Sequence, residues 1–183
     1  YALYPGDQID PVTAPELFEA ARRSLEIRLE NLGGHTGWSR AWTACCFARL
    51  GDAQGAWEHL MHLASDFVTA SLLDLHPPRI FQIEGNLGGA AAVVEMLLQS
   101  RGGRLELLPA LPAAWPDGEV RGLRGRGGFS LDITWQAGRL QSATIHATRT
   151  GLCRVRYQGQ ELVVADTSGD TVETTHDGAA YAF

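Results

Sequence analysis

The sequence predicts an α+β chain in two parts, a helical domain followed by an antiparallel β-domain. Three observations predict it. Apolar residues recur at helical spacing in Leu17, Ala21, Leu25, Leu29 and Leu32, again in Trp38, Ala41, Trp42 and Cys45, and again in Ala56, Trp57, Leu60, Ala64 and Phe67. Past Gly102 the period changes: Phe129, Leu131, Ile133 and Trp135 alternate with Ser130, Asp132 and Thr134, as a half-buried strand does. Turn signals then recur at short intervals, Ala137-Gly138 and Gln158-Gly159-Gln160 among them, which suits an antiparallel sandwich. Residues 1–102 are therefore expected to be helical and 103–183 to form the β-domain.

The elements follow in order. Residues 1–12 read as irregular, with Pro5, Gly6 and Pro11. Thr13-Ala-Pro-Glu16 has the form of a capping box with Pro15 near the first helical position, and Gly33 and Gly34 end the helix that follows. A second helix runs from about Trp38 and stops at Gly51. Asp52 is placed to N-cap a third, whose outer face carries His59 and His62. Two histidines three apart can share a metal, but no third ligand is near, so surface histidines are the expectation. A weak helical turn covers Phe67 to Leu75. Beyond the change of period, Leu105, Leu107 and Leu108 begin a strand and Pro109 to Trp115 is a proline-punctuated connector. Arg139–Thr148, Cys153–Tyr157 and Glu161–Ala165 are further strands, and Val172 with the tail Ala179–Phe183 is expected to close the sheet. Asp117, Asp132 and Asp166 read as solvated.

Composition narrows the function classes. The 183 residues suffice for one large or two small domains, and 45% hydrophobic with 20% charged residues is an ordinary globular profile. A net charge of −6 without a basic run argues against nucleic acid and anionic membranes as partners. No apolar run reaches membrane-spanning length. The chain opens at Tyr1 with neither an initiator Met nor a signal peptide, and is expected to be a piece of a longer protein. Cys45, Cys46 and Cys153 lack metal-ligand spacing and are expected to be buried, unpaired thiols. No metal or cofactor is expected.

The densest chemistry lies in His76-Pro-Pro-Arg-Ile-Phe-Gln-Ile-Glu-Gly-Asn-Leu-Gly-Gly89. Pro77 and Pro78 forbid a helix through its start. Phe81 and Ile83 alternate with Gln82 and Glu84 as a short extended run, and the apolar run Ala90–Ser100 reads as a buried helix with Gly102 at its C-cap. Glu84 then sits in a loop just ahead of a helix N-terminus. A loop carboxylate on a rigid scaffold is a common catalytic device; a carboxylate that only complements the helix end is an equally ordinary reading. His76 is either a ligand contact or a loop histidine bonded to backbone. In a second dense loop, His35-Thr-Gly-Trp-Ser-Arg40, Trp38 either stacks on a ligand or lies in the core.

His76-Pro-Pro, Phe81-Gln-Ile-Glu-Gly-Asn-Leu-Gly-Gly89 and Glu95-Met-Leu-Leu-Gln-Ser100 together resemble the signature region of glycoside hydrolase family 95. Tyr4-Pro-Gly-Asp-Gln-Ile9, Leu25-Glu-Ile-Arg-Leu29 and Gly34-His-Thr-Gly-Trp-Ser-Arg-Ala-Trp42 match upstream. Leu107-Leu-Pro-Ala-Leu-Pro112, Trp115-Pro-Asp-Gly118 and Gly122-Leu-Arg-Gly-Arg-Gly-Gly128 match downstream. The resemblance implies an inverting glycosidase, most often an α-L-fucosidase, with an (α/α)6 toroid followed by a β-sandwich domain. Paired helices joined by short loops suit such a toroid, of which residues 1–102 are about the last third.

Inverting hydrolysis uses a carboxylic acid and a carboxylate base ~6.5–9.5 Å apart. The resemblance gives the base to Glu84, where the family usually has an aspartate shorter by one methylene, ~1.5 Å. It gives a sugar contact to His76, although Arg79 and Ile80 lengthen the interval between the two relative to the shorter form of the motif. His35, Trp38 and Asn86 are further expected substrate contacts; Asn86 and Gln82 either orient Glu84 through amide hydrogen bonds or only satisfy the loop backbone. The general acid is expected upstream of Tyr1. The implied partners are therefore a glycan substrate and the remainder of the chain's own catalytic domain, and the chain alone is expected to be inactive. A secreted or periplasmic location is implied as well. Two alternatives remain at this point: another (α/α)6 enzyme such as a phosphorylase, in which a phosphate site replaces the base, and a non-catalytic carbohydrate-binding or structural β-module.

Overall fold

A computed structural model describes residues 1–167 and 171–175, with side chains described through Glu161. It contains two compact units that divide between Met96 and Leu97. The first holds α1 (Pro15–Glu30), α2 (Gly37–Arg49), α3 (Ala53–His62), a π-helical turn (Leu63–Phe67), the short strands β1 (Leu75–His76) and β2 (Ile80–Phe81), and α4 (Ile83–Leu97) up to its last residue. Pro15 begins α1, where the missing N–H has no helical partner to lose. The capping box expected at Thr13–Glu16 is not formed, because the N-cap is Ala14 and no side chain caps it. A box opens α2 instead, where Thr36 and Ser39 cap one another. Asp52 caps α3, its Oδ1 accepting the Gly55 amide at 2.8 Å. α1 buries Phe18 and Leu25; Leu17, expected on that stripe, is exposed.

The core of this unit lies where α2 meets α4. Ala44, Cys45 and Ala92 are buried, with Tyr4, Leu60 and Ala91 packed around them. Small residues set the spacing: a methyl at Gly88 would stand 2.9 Å from Cβ of Ala41, and the Cys45 thiol donates to the Gly88 carbonyl at 3.7 Å. Arg49 ties α2 to α4 with a bidentate pair to Glu95, at 2.5 and 3.0 Å. The same guanidinium donates to the Gly6 carbonyl at 3.2 Å and lies over the Tyr4 ring. All three cysteines are buried and free, as expected.

The second unit, from Leu97 onward, is two four-stranded sheets. One has the order β10 (Thr171–Thr175), β7 (Arg139–Ala147), β6 (Phe129–Gln136), β5 (Gly118–Gly125), antiparallel throughout. The other has the order β3 (Leu98–Arg101), β4 (Arg104–Leu107), β8 (Gly151–Tyr157), β9 (Gln160–Thr167). Here one pair departs from the antiparallel expectation: β4 and β8 run parallel, the whole β5–β7 excursion serving as the crossover a parallel pair requires. Leu105, Leu131, Ile133, Leu140, Ile145 and Val155 are fully buried, and the Tyr157 hydroxyl accepts the Leu140 amide at 3.2 Å.

Two sequence expectations are corrected at the junction. The helix starts at Ile83 and stops at Leu97, and Leu98–Arg101 is a strand paired with β4. Gly102 is therefore not a helix C-cap. With Gly103 it takes φ of +54° and +72°, the geometry of a two-residue hairpin turn. Ala137-Gly138 and Gln158-Gly159 turn the same way between β6 and β7 and between β8 and β9, as their sequences indicate. Asp117 and Asp132 are engaged in this unit, accepting the Ala137 and Gly122 amides. The side chain of Asp166 and the tail Ala179–Phe183 lie outside the described residues. Among those residues no helix is long and apolar enough to cross a membrane, and no cluster of His, Cys, Asp or Glu has the makings of a metal site.

Candidate active site

The His76–Gly89 stretch is a tight hairpin running straight into a helix. β1 and β2 pair antiparallel, His76 opposite Ile80. The turn between them holds Pro77 and Pro78, and the Arg79 amide donates to the His76 carbonyl at 2.8 Å. Arg79 adopts φ +142°, a strained value for a residue with a side chain. The two residues beyond the shorter form of the motif are thus absorbed in the turn and in the first position of β2. Because α4 begins at Ile83, Glu84 lies in the first helical turn and not in a loop ahead of it. Its side chain is exposed, and among the described residues no hydrogen bond from Gln82 or Asn86 reaches it. His76 is half-buried, its Nδ1 2.5 Å from the Pro77 carbonyl.

Asp74, which the sequence reading passed over, organises this end of the unit. It is 0% exposed. Its carbonyl accepts the Gln82 amide at 3.0 Å, and its own amide donates to Oδ1 of Asn86 at 2.9 Å. Asn86 also donates through Nδ2 to the Leu72 carbonyl at 2.5 Å. Both ends of that amide therefore hold backbone, the second of the two roles its place in the loop allows. The Asp74 carboxylate rests against Gly37, first residue of α2, and Gly85, the neighbour of Glu84; a Cβ at either glycine would overlap it. One carboxylate thus brings together the N-terminal turns of α2 and α4, and with them Trp38 and Glu84, each one residue from a glycine it touches. The available signal was a lone acid inside the apolar run Leu72-Leu73-Asp74-Leu75.

At the α2 end, Trp38 is 42% exposed and so is not a core residue. His35 is exposed, with Nδ1 3.2 Å from the Leu32 carbonyl. Arg40 turns inward and donates to Nδ1 of His59 at 2.7 Å. His59 was expected on an outer face; it is half-buried and stacks on Phe47 at 5.0 Å between ring centroids. Burial first, then the Arg40 charge, pulls its pKa down to about 4, in keeping with a neutral ring accepting from Arg40. His62 is exposed and pairs with Asp66 at 3.0 Å, so the two histidines face different surroundings. Burial pushes the Asp74 carboxyl upward; the Leu75 amide and the His76 charge oppose this and the Glu84 charge adds to it.

Trp38, His35 and Glu84 are exposed, Trp38 and Glu84 each in the first turn of a helix and His35 just ahead of α2. Residues 1–97 match the glycosyl hydrolase family 95 catalytic domain and residues 99–183 match the glycoside hydrolase family 95 C-terminal domain. The chain belongs to glycoside hydrolase family 95. Over 172 residues, 87% of its length, it is 38% identical to alpha-L-fucosidase 2 of Arabidopsis thaliana, covering 20% of that protein. It is 32% identical to probable alpha-fucosidase A of Aspergillus oryzae over 160 residues, 79% of this chain and 22% of the relative. The homologous protein of Aspergillus niger is likewise 32% identical, over 74% of this chain and 19% of its own length. The chain thus spans about a fifth of the length of these curated relatives.

Proposed function

We propose that the protein to which this chain contributes is an inverting glycosidase that hydrolyses terminal α-L-fucosyl or related α-L-glycosyl linkages in oligosaccharides and glycans. One observation carries this reading: Glu84, at the family's base position, is an exposed carboxylate on a backbone braced from both sides. In the proposed reaction Glu84 removes a proton from water as its oxygen attacks the anomeric carbon. A carboxylic acid from the remainder of the catalytic domain protonates the departing oxygen, and the configuration inverts. His76, His35 and Trp38 contact the sugar, the indole through its apolar face. Asn86 serves the site indirectly, by holding the segment beneath Glu84. The carboxylate at position 84 speaks against a phosphorylase, which needs phosphate where that group stands. In this proposal the helical unit is part of an (α/α)6 toroid, the two sheets of the second unit pack as a sandwich, and the protein is secreted or periplasmic.

In the full-length enzyme Glu84→Gln keeps the shape and removes the base. Turnover of an aryl α-L-fucoside should fall by ~10²–10⁴ with little change in substrate binding. Unchanged kinetics would remove Glu84 from the mechanism. Residues 1–183 alone should release no fucose from the same substrate.

A further inference from the structure

We propose that Asp74 is a positioning residue for Glu84, a buried wedge between the first turns of α2 and α4 that leaves the backbone around Glu84 one place to sit. The proposal rests on the reading of Glu84 as the base. Three ties run from Asp74 to the segment that carries Glu84. The carbonyl holds Gln82 on one side, the amide holds Asn86 on the other, and the carboxylate abuts Gly85 between them. From α2 the same carboxylate abuts Gly37. Neither glycine can acquire a Cβ without displacing it.

A fully buried carboxylate is an expensive way to fill space. Among the described residues no side chain donates to its two oxygens and the Leu75 amide alone acts on them, so the group carries a desolvation cost that an apolar side chain would not. The partial positive ends of two helices lie against it and offset part of that cost. Such an arrangement defines a single docking distance between α2 and α4, which is what a base needs when misplacement by ~1 Å costs on the order of a hundredfold in rate. Asp74 also senses the site electrically. The charged groups that act on it are His76 from β1, two residues on, and Glu84 from α4, while α2 faces it with Gly37, which has no side chain.

A loss of turnover without a change in KM separates positioning near the reacting group from plain scaffolding. In the full-length enzyme, Asp74→Asn keeps the shape and removes the charge. Turnover should fall about tenfold with KM nearly constant. A fall in turnover matched by a rise in KM would make Asp74 a scaffold residue and overturn the proposal, as would wild-type kinetics. If Asp74→Asn does not fold, a second route remains. Gly85→Ala puts a methyl on the carboxylate and should cost about a hundredfold; adding Asp74→Ala clears the space and should recover at least about tenfold of it. No recovery overturns the wedge. Glu84→Gln in the same enzyme keeps the two readings apart. If it leaves turnover intact the base assignment has failed, whereas if it abolishes turnover and Asp74→Asn does nothing, the positioning role alone has failed.

Discussion

The strand unit buries most of its described apolar side chains. Leu105, Leu131, Ile133, Leu140, Ile145 and Val155 are fully buried, and Leu152 is the one large apolar side chain exposed among the described residues. The helical unit closes less of itself. Ile83, Leu87 and Val94 form an exposed stripe along α4, and Leu72, Ile80, Phe81, Leu17 and Ile27 are exposed as well. A pair of sheets supplies both halves of a core, whereas a helix in a multi-helix assembly has more than one stripe to cover. Exposed apolar surface on this scale calls for a neighbour, which agrees with the proposed toroid completed by the remainder of the catalytic domain. What holds the helical unit together is correspondingly less apolar: the bidentate Arg49–Glu95 pair, the caps at Ser39 and Asp52, and the braces around Asp74.

Breaking that polar framework should have the largest effect. Glu95→Ala leaves Arg49 buried and unpaired and should destabilise the helical unit by about 3–5 kcal/mol. Amide hydrogen exchange should accelerate throughout α2 while β6 keeps its protection; equal loss in both would erase the contrast between the units. The next effect is pH-dependent. The depressed pKa of His59 means that its contribution is fully present above the ordinary value of 6.5 and is lost as pH falls towards 4. Discounted for a half-exposed ring, that loss should be about 1–2 kcal/mol. His59→Phe keeps the stack on Phe47 and cannot titrate, so its urea midpoint should vary less between neutral and acidic pH than that of the unaltered chain. Identical pH dependence would exclude His59 as the source. The smallest effect is expected at the exposed stripe. Leu87→Ala in this chain should cost less than about 0.5 kcal/mol, against about 2–5 kcal/mol for Leu131→Ala. Equal costs from parallel denaturant titrations would mean that the α4 face is already covered.

Local chemistry was legible in the sequence; pairing at a distance was not. The alternation from Phe129 to Trp135, the turns at Ala137-Gly138 and Gln158-Gly159, and the Asp52 cap depend on residues within a few positions of one another, and each formed as read. Leu98–Ser100 follows directly on the mostly apolar run from Ala90 and reads as its continuation; only the partner strand Arg104–Leu107 makes Leu98–Arg101 a strand. The parallel pairing of β4 with β8 depends on a partner that follows three intervening strands. At the candidate site, Glu84 and His76 stood out by motif, whereas Asp74 did not, because its role requires Gly37 and Gly85 to arrive from separate helices. His59 misled for the same reason: helical spacing alone gave it an outer face, and Phe47 and Arg40 of α2 draw it in.

The stretch preceding α1 bears on how this protein meets a protease. Segments without helix or strand are usually the first to be nicked, because cleavage requires several residues to lift away and extend. Residues 4–6 have no regular structure, yet the Trp42 indole donates to the Tyr4 carbonyl at 3.1 Å, Arg49 donates to the Gly6 carbonyl, and the Tyr4 ring lies under the Arg49 guanidinium. Lifting them means unfastening α2. Limited digestion should therefore spare Tyr4–Gly6 and enter first at Leu32, 84% exposed between α1 and α2, so that one irregular segment outlasts another.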